Sequence, residues 1–375
     1  MEKYYYLAPC HFGLESVLAG ELRRMGAEEV QVSDGRVRFS GALALLARAN
    51  LCLRTAERVF LLMGEFPAAS FEQLFEGTKA LPWEMWIDPL DAFPVKGHAI
   101  SSKLHSVPDC QAIVKKAVVE RLKSRYHIHW FQETGAVHRV QFAIHKDQAS
   151  LLLDTSGDGL HKRGYRKNSK LAPIRETLAA GILDLARVKP FSMVYDPFCG
   201  SGTFLIESAL RAANIPPGMH RTFAAEEWNQ VPKAIWRQER ELALDGIRTD
   251  IEFQGFGSDV DSQVVALSVA NAKKAGVLSR LSFVQKGIEH FKPTTPKGIV
   301  LCNPPYGKRM LEQKEAERIY RSMGDVLLPR TDFSYYIISP HEHFEDYFGR
   351  KADKKRKLYN GMLKCQLYQY FRGKA

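Results

Sequence analysis

The sequence predicts an α/β protein in which an α+β N-terminal half precedes a domain built on a mostly parallel sheet. The chain has 375 residues, enough for two or three domains. After a junction at Gly157–Lys170, apolar strand segments alternate with helices, as they do when helices cover both faces of a parallel sheet. The unusual motifs of this half come directly after strands, where open α/β sheets bind their ligands.

The elements of the N-terminal half follow from local periodicity. Tyr4–Leu7 is a short apolar run, Gly13–Met25 has helical spacing, and Gln31–Phe39 alternates with a period of two. We therefore expect residues 1–60 to form two strands around a helix. Later elements are a helix that is capped near Ser106 or Asp109 and ends near Arg125, and strands at Val137–Ile144 and Ser150–Asp154.

The second half is predicted to contain six strands, with helices at Phe204–Ala213 and Ser262–Lys274. The strands are expected at Met193–Tyr195, Phe253–Gly257, Leu281–Val284, Ile299–Cys302, Tyr335–Ile338 and Met362–Phe371.

Composition excludes several classes of protein. No apolar run approaches the roughly 18 residues of a membrane span, and the N-terminus does not resemble a signal peptide. The six cysteines are scattered without a CxxC pair, which argues against a zinc site and a disulfide scaffold. We expect a reduced, cytoplasmic protein without a metal.

The net charge is +11, and much of it lies at His161–Lys167 and in the tail from Arg350. Basic clusters bind polyanions by releasing counterions, so a nucleic acid is the natural partner, although a solvated basic surface is the alternative. The candidate nucleic-acid contacts are Lys115, Lys116, Lys162, Arg163, Arg166, Lys354, Lys355 and Arg356.

The first motif, Asp196-Pro-Phe-Cys-Gly-Ser-Gly-Thr203, joins a strand to a helix. Glycines let the backbone approach a ligand closely, and the helix start adds N–H donors. Leu205 occupies the third small position of a dinucleotide fingerprint, and no P-loop is present. A plain glycine-rich turn is the alternative to a cofactor loop. The candidate cofactor contacts in this motif are Asp196, Phe198, Gly200, Gly202 and Thr203.

A pair of acids, Asp259 and Asp261, follows the next predicted strand. A carboxylate at this point of an α/β sheet can accept both hydroxyls of a ribose. Asp259 is the first choice and Asp261 the second, since Asp261 also suits an N-cap.

The second motif is Asn303-Pro-Pro-Tyr-Gly307. Pro304 and Pro305 lack backbone donors, which leaves the Asn303 side-chain oxygen and the Pro304 carbonyl as acceptors. Two acceptors suit the two hydrogens of an exocyclic base amine, and Tyr306 can stack on an extruded base. Catalysis would then rest on positioning and electrostatics, although the motif alone is also compatible with a rigid turn.

These motifs resemble those of class I methyltransferases that modify exocyclic amines, and more narrowly the THUMP-domain RNA methyltransferases that include bacterial ribosomal RNA guanine-N2 enzymes. The narrower resemblance lies in Ser101–Leu122, Leu160–Arg166 and Leu171–Ala180. It implies S-adenosylmethionine as cofactor, with Asn303 also among its contacts, and ribosomal RNA as substrate.

The resemblance also implies a domain order. Residues 1–60 would be a ferredoxin-like region, 61–156 a THUMP domain, 157–170 a basic linker, and 171–375 a Rossmann-like methyltransferase domain. Two features depart from the family pattern. The loop Gln285–His290 lacks the usual aspartate for the cofactor adenine. Residues 214–250 carry Trp228 and Trp236, which could stack RNA, cover the cofactor or pack an inserted helix.

Three functions stay open at this point. Guanine-N2 methylation of RNA leads. Adenine-N6 methylation of RNA or DNA is the alternative, because both amines present two hydrogens to such a loop. A non-catalytic RNA-binding or assembly factor is the third, but it would predict decay of one of the two motifs.

Overall fold

The computed structural model describes residues 2–166, 174–306 and 310–373, without the side chains of residues 310 and 311. Three parts of the sequence predictions lie outside these ranges. They are residues 167–170, which end the predicted linker and include Lys167 of the basic stretch, then Leu171–Pro173, and Gly307. None of the helices in the described ranges is long and apolar enough to cross a membrane.

The N-terminal half forms one seven-stranded sheet in the order β2-β3-β1-β4-β7-β6-β5. All neighbours are antiparallel except β5 and β6. The strands are β1 (Tyr4–Pro9), β2 (Glu28–Ser33), β3 (Arg36–Gly41), β4 (Phe60–Pro67), β5 (Val95–Ile100), β6 (Val140–His145) and β7 (Gln148–Asp154). The helices are α1 (Glu15–Arg24), α2 (Leu43–Cys52), α3 (Phe71–Ala80) and α4 (Val107–Tyr126).

For residues 1–60 one prediction is wrong and one helix is absent from the predictions. The run Gln31–Phe39 is two strands, β2 and β3, because Gly35 takes a left-handed φ of 70° and closes a tight hairpin after Asp34. The helix α2 was not predicted, since it is buried on most sides and shows no polar stripe.

The second half forms another seven-stranded sheet, in the order β10-β9-β8-β11-β12-β14-β13. The first five strands are parallel, and β14 is antiparallel to both of its neighbours. The strands are β8 (Met193–Asp196), β9 (Gln254–Asp259), β10 (Leu281–Gln285), β11 (Gly298–Cys302), β12 (Phe333–Ser339), β13 (Lys354–Asn360) and β14 (Leu363–Tyr370). The helices are α5 (Glu176–Leu185), α6 (Thr203–Ala212), α7 (Lys233–Asp245), α8 (Ser262–Lys274), α9 (Met310–Leu327) and α10 (Phe344–Phe348).

This order confirms the predicted Rossmann-like class and creates a switch point between β8 and β11. The two strands are neighbours, with Ile299 opposite Val194, and successive strands are added on opposite sides of this pair. A crevice therefore opens at their carboxyl ends, which is where such sheets bind ligands.

The basic tail is not an irregular segment. Residues Lys354–Asn360 form β13, which pairs with β14 through a turn at Gly361 and lies at the edge of the sheet. Charged side chains on an exposed edge strand prevent further strand pairing, so this basic strand also has a structural use.

Residues 214–250 join the two halves. Trp228 and Trp236 are buried in the apolar core of the N-terminal half, and the Trp228 ring lies 6.2 Å from that of Trp86. From the other side, Leu14 and Val17 at the start of α1 enter the apolar core of the second half. Both tryptophans therefore pack the inserted segment and are not available to stack RNA.

Candidate active site

Three loops meet at the switch point. Asp196 ends β8, Asp259 ends β9, and Asn303 directly follows β11. The first two loops are bonded to each other, because the backbone N–H of Gly200 donates to Oδ2 of Asp259 at 3.1 Å. The sheet order thus brings together candidate residues that are up to about a hundred positions apart in the chain.

The loop from Asp196 to Thr203 needs its glycines. Gly200 and Gly202 have φ angles of 52° and 81°, in the left-handed region that favours glycine, and Gly202 caps the start of α6. The space next to Gly200 is open, since an added Cβ would have its nearest contact at 3.9 Å. The backbone at Gly200 is therefore accessible to a ligand.

Helix α8 holds this loop from behind. Ser268 donates to the Gly200 carbonyl at 2.5 Å, and the Asn271 side chain donates to the Ser201 carbonyl at 3.0 Å. A Cβ on Gly202 would come within 3.3 Å of Ser268. The loop is thus fixed by side chains that no motif contains.

Asp196 is a buried carboxyl, 2% exposed. Its Oδ1 accepts the Phe198 N–H at 3.1 Å. Burial raises the pKa of Asp196 to about 8, and the nearby negative charge of Asp259 acts in the same direction. A carboxyl in this state fits a ligand that brings a positive charge, such as an ammonium group, because that charge favours its ionised form.

The carboxylates of Asp259 and Asp261 both accept hydrogen bonds from backbone N–H groups. Oδ1 of Asp259 accepts the Asp261 N–H at 3.2 Å, in addition to the Gly200 contact of Oδ2. Asp261 is exposed and caps α8 by accepting the Gln263 N–H at 2.8 Å. Asp259 is the one in contact with the glycine loop, which keeps it the first choice for a ribose.

The loop at Asn303–Tyr306 is held at its far end. The Tyr320 hydroxyl on α9 donates to the Pro305 carbonyl at 2.9 Å and lies 3.3 Å from Ser339 Oγ. Pro304 is buried. Among the described residues no donor is bonded to the Pro304 carbonyl, and its role as an acceptor stays a prediction.

The second predicted acceptor is occupied. The Tyr306 hydroxyl donates to Oδ1 of Asn303, and the side chain of Asn360 on β13 donates to the Tyr306 hydroxyl at 3.5 Å. Burial raises the pKa of Tyr306, so the hydroxyl stays protonated and remains a donor. The Asn303 oxygen has a second lone pair, so it can accept one more donor beside Tyr306.

Two of the basic candidates point into the protein. Arg163 is 5% exposed and donates to the carbonyls of Leu160 and Arg54, both at 2.5 Å, with Glu207 at 3.6 Å. The prediction that Arg163 contacts nucleic acid is wrong, because its guanidinium is buried.

Arg166 is also directed inward. Its guanidinium donates to Thr203 Oγ1 at 2.7 Å and to the Ile174 carbonyl at 3.0 Å, and lies 3.2 Å from Glu176. Its side chain is 19% exposed, so its role as a phosphate contact stays a prediction. These bonds make Arg166 a support of the glycine loop, because Thr203 is the first residue of α6.

The other basic candidates remain accessible. Lys116, Lys162 and Lys354 are exposed. Lys115 is partly held by Glu133 at 2.6 Å, Lys355 by Glu345 at 2.8 Å, and Arg356 by the Gly13 carbonyl at 2.9 Å. These residues stay predictions as nucleic-acid contacts.

The structure adds residues that the motifs did not indicate. Ser268, Asn271 and Tyr320 hold the two loops, and Asn360 reaches Tyr306 from the edge hairpin. The only sequence signal for the first two is a pair of polar residues three apart on α8, in positions buried by the fold.

Comparison with protein families finds three matching regions. Residues 6–60 match the RlmL ferredoxin-like domain, 68–154 the THUMP domain, and 163–369 the RMKL-like methyltransferase domain. The last match covers more than half of the chain.

Similar proteins match along almost the whole chain. "Putative RNA methyltransferase YpsC" of Bacillus subtilis is 43% identical over 99% of this chain and 97% of its own length. The ribosomal RNA large subunit methyltransferase K/L of Syntrophotalea carbinolica is 34% identical over 98% of this chain. The match covers 53% of that protein, so the chain spans about half its length.

Two solved structures have the same fold at substantial identity. SMU.472, described as "a putative methyltransferase complexed with SAH", is 40% identical, with a TM-score of 0.95 over all of both chains. A "predicted N6-adenine-specific DNA methylase" from Listeria monocytogenes is 42% identical, with a TM-score of 0.94 over 99% of this chain and 97% of its own.

Proposed function

This chain belongs to the RMKL-like methyltransferase family, and we propose that it transfers a methyl group from S-adenosylmethionine to an exocyclic base amine in RNA. S-adenosylmethionine is the methyl donor, in agreement with the SAH bound to SMU.472, since SAH is what remains of the donor after transfer. The observation that carries the proposal is the switch point, where the glycine loop and the Asn-Pro-Pro-Tyr loop follow the neighbouring strands β8 and β11.

The residues around the glycine loop fit this donor. Asp196 would face its ammonium group, Asp259 its ribose, and the open backbone at Gly200 allows close approach. When bound, the donor supplies a methyl group on a positively charged sulfur. The remaining task, which is to orient the amine toward that methyl group, belongs to the residues of this protein.

Asn303 and Pro304 provide that orientation. An exocyclic amine is a weak nucleophile because its lone pair is delocalised into the ring. Two acceptors that hold both hydrogens out of the ring plane favour a tetrahedral nitrogen, and they direct its lone pair toward the methyl group of the donor. The Tyr306 hydroxyl already donates to the Asn303 oxygen, which supports Asn303 as an acceptor. Its second lone pair would take a hydrogen of the base amine, and the Pro304 carbonyl would take the other.

RNA is the proposed substrate because a THUMP domain matches residues 68–154, and because YpsC and the K/L protein carry RNA in their names. Ribosomal RNA follows from the K/L name, and it implies that the protein works in the cytoplasm. The exposed cations Lys116, Lys162 and Lys354 would bind phosphates. The target base must be extruded to reach the crevice, at a cost of a few kcal/mol.

We propose guanine N2 as the acceptor. Adenine N6 is the second candidate, since the Listeria protein is named for adenine methylation and both amines suit the same two acceptors. The intact state of both motifs disfavours a purely RNA-binding role.

One experiment separates these functions. Labelled S-adenosylmethionine is incubated with the protein and large-subunit ribosomal RNA transcribed without modifications, and the RNA is digested to nucleosides. We expect label in N2-methylguanosine. Label in N6-methyladenosine would replace guanine by adenine, transfer to duplex DNA alone would overturn the RNA assignment, and no transfer to any nucleic acid would favour the binding role.

A further inference from the structure

A basic cavity of about 620 Å³ lies between the N-terminal half and the catalytic domain, away from the candidate active site. Its walls come from α1, α2, the turn before β8, the end of α6, and α7. Because β8 runs from that turn toward Asp196 and α6 returns from the glycine loop, the cavity lies at the opposite end of the catalytic sheet.

The lining of this cavity is strongly positive. It includes six cationic side chains and two carboxylates, Glu21 and Glu239. Glu239 is already paired with Arg48, whose guanidinium donates to both of its oxygens at 2.7 and 2.8 Å. Burial raises the pKa of Glu21, which accepts the Thr55 hydroxyl at 2.6 Å. Arg211 is paired with Asp184 at 2.7 Å. The other four cations, Arg24, Arg54, Lys189 and Arg248, form no ion pair with a carboxylate of the described residues.

Arg54 lies in the wall with one free donor group. Its side chain is 9% exposed, and Nη2 donates to the Ile215 carbonyl at 2.7 Å. Nη1 is buried and finds no acceptor among the residues that the structure describes. Buried donors are normally satisfied, so this one indicates an acceptor supplied by a ligand.

Three more cations surround the opening. Arg24, Lys189 and Arg248 line the cavity and are exposed, and within the described ranges none of their side chains forms an ion pair. Several unpaired cations around an open mouth suit an extended polyanion better than one small enclosed anion.

We propose that this cavity binds a phosphate group of the RNA backbone, with Arg54 at its base and Arg24, Lys189 and Arg248 around it. Phosphate oxygens are charged acceptors that match the planar donor pattern of arginine. The inference rests on the proposed function, and it extends the RNA-binding surface from the crevice to the far end of the catalytic sheet.

The test removes the cations around the opening and leaves the buried Arg54 in place, so that the fold is preserved. The variant carries Arg24→Gln, Lys189→Gln and Arg248→Gln. A matched control carries Lys273→Gln, Lys274→Gln and Lys297→Gln, which remove three exposed charges elsewhere on the catalytic domain. Filter binding of unmodified large-subunit ribosomal RNA is measured over a range of KCl concentrations.

We expect the salt slope of the cavity variant to flatten by about one unit for each phosphate that it no longer binds, with about a fivefold lower affinity per phosphate near 0.15 M salt. The control should keep the slope and affinity of the natural protein. An equal decrease of affinity in both variants, or an unchanged affinity in the cavity variant, would overturn the proposal.

A second measurement distinguishes RNA from a small phosphate ligand. Pyrophosphate should raise the melting temperature of the natural protein and of the control, but not of the cavity variant. Loss of this effect with unchanged RNA binding would overturn the assignment to RNA. Methyl transfer by the natural protein to the same RNA is measured in parallel, so that failure of the proposed function is recognised separately.

Discussion

Binding of the methyl donor should depend on pH through Asp196. Burial raises the pKa of this carboxyl to about 8, whereas an unperturbed aspartate has a pKa of about 3.9. Asp196 is therefore mostly protonated at pH 6 and 7 in the absence of ligand. An ammonium group favours its ionised form, so binding should release a proton in this range.

The size of the effect follows from the pKa of about 8. Roughly 1% of Asp196 is ionised at pH 6.0 and about a quarter at pH 7.5. If only the ionised form binds, affinity rises by about 15- to 25-fold over this interval. The lower bound allows for the ammonium group of the ligand, which begins to deprotonate near pH 7.7 to 8.0.

Isothermal titration calorimetry with S-adenosylmethionine, in two buffers of different ionisation enthalpy, measures both the affinity and the protons released. At pH 6.5 we expect about one proton per ligand. The Asp196→Asn variant keeps an oxygen for the Phe198 N–H and should bind weakly and without this pH dependence. Natural protein with a flat affinity from pH 6.0 to 7.5, or a variant with the same slope, would show that Asp196 does not control donor binding.

Three further predictions concern the residues around the crevice. Tyr306→Phe removes the hydroxyl that donates to Asn303 and keeps the ring, so single-turnover methyl transfer should stay within a few-fold of the natural rate. Tyr306→Ala should lose about 1–3 kcal/mol of stacking, which is roughly a 5- to 150-fold loss of RNA affinity. Equal behaviour of the two variants would exclude a stacking role. Arg166→Gln should weaken donor binding about tenfold, the usual cost of losing one charged hydrogen bond to a buried group. Filter binding of RNA should stay unchanged. Weaker RNA binding with unchanged donor binding would support Arg166 as a phosphate contact. Lys354→Gln, Lys355→Gln and Arg356→Gln together neutralise the basic edge strand β13. This variant should show a flatter salt dependence of RNA binding. An unchanged salt dependence would mean that these charges only prevent pairing at the sheet edge.

The catalytic domain was the most predictable part of the fold. Its parallel strands are short, and the predicted positions lie within two residues of β8–β11 at either end. The helix predicted at Ser262–Lys274 forms with those bounds, because apolar periodicity and the Asp261 cap agree. The N-terminal half was harder, since α2 lacks a polar face and one alternating run contained a hairpin.

The candidate site was predictable only where its residues follow one another in the chain. The two loop motifs are such runs, and the sheet brings them together. The residues that hold them come from distant elements, as with Ser268 for Gly200 and Tyr320 for Pro305. The prediction of Arg163 as a nucleic-acid contact rested on its charge. Its burial depends on Glu207 and on the carbonyl of Arg54, which lies 109 positions away, and the local sequence does not reveal these contacts.

In the proposed reaction the Asn303 loop orients a base amine for methyl transfer. This role is tested by comparing natural protein and Asn303→Ala in single-turnover transfer of labelled methyl groups to unmodified large-subunit ribosomal RNA, with donor binding measured on the same preparations. We predict that the variant loses transfer by at least about a hundredfold, near the cost of one preorganised hydrogen bond, and binds the donor almost normally. Transfer at the natural rate, or equal loss of transfer and donor binding, would contradict the role given to Asn303.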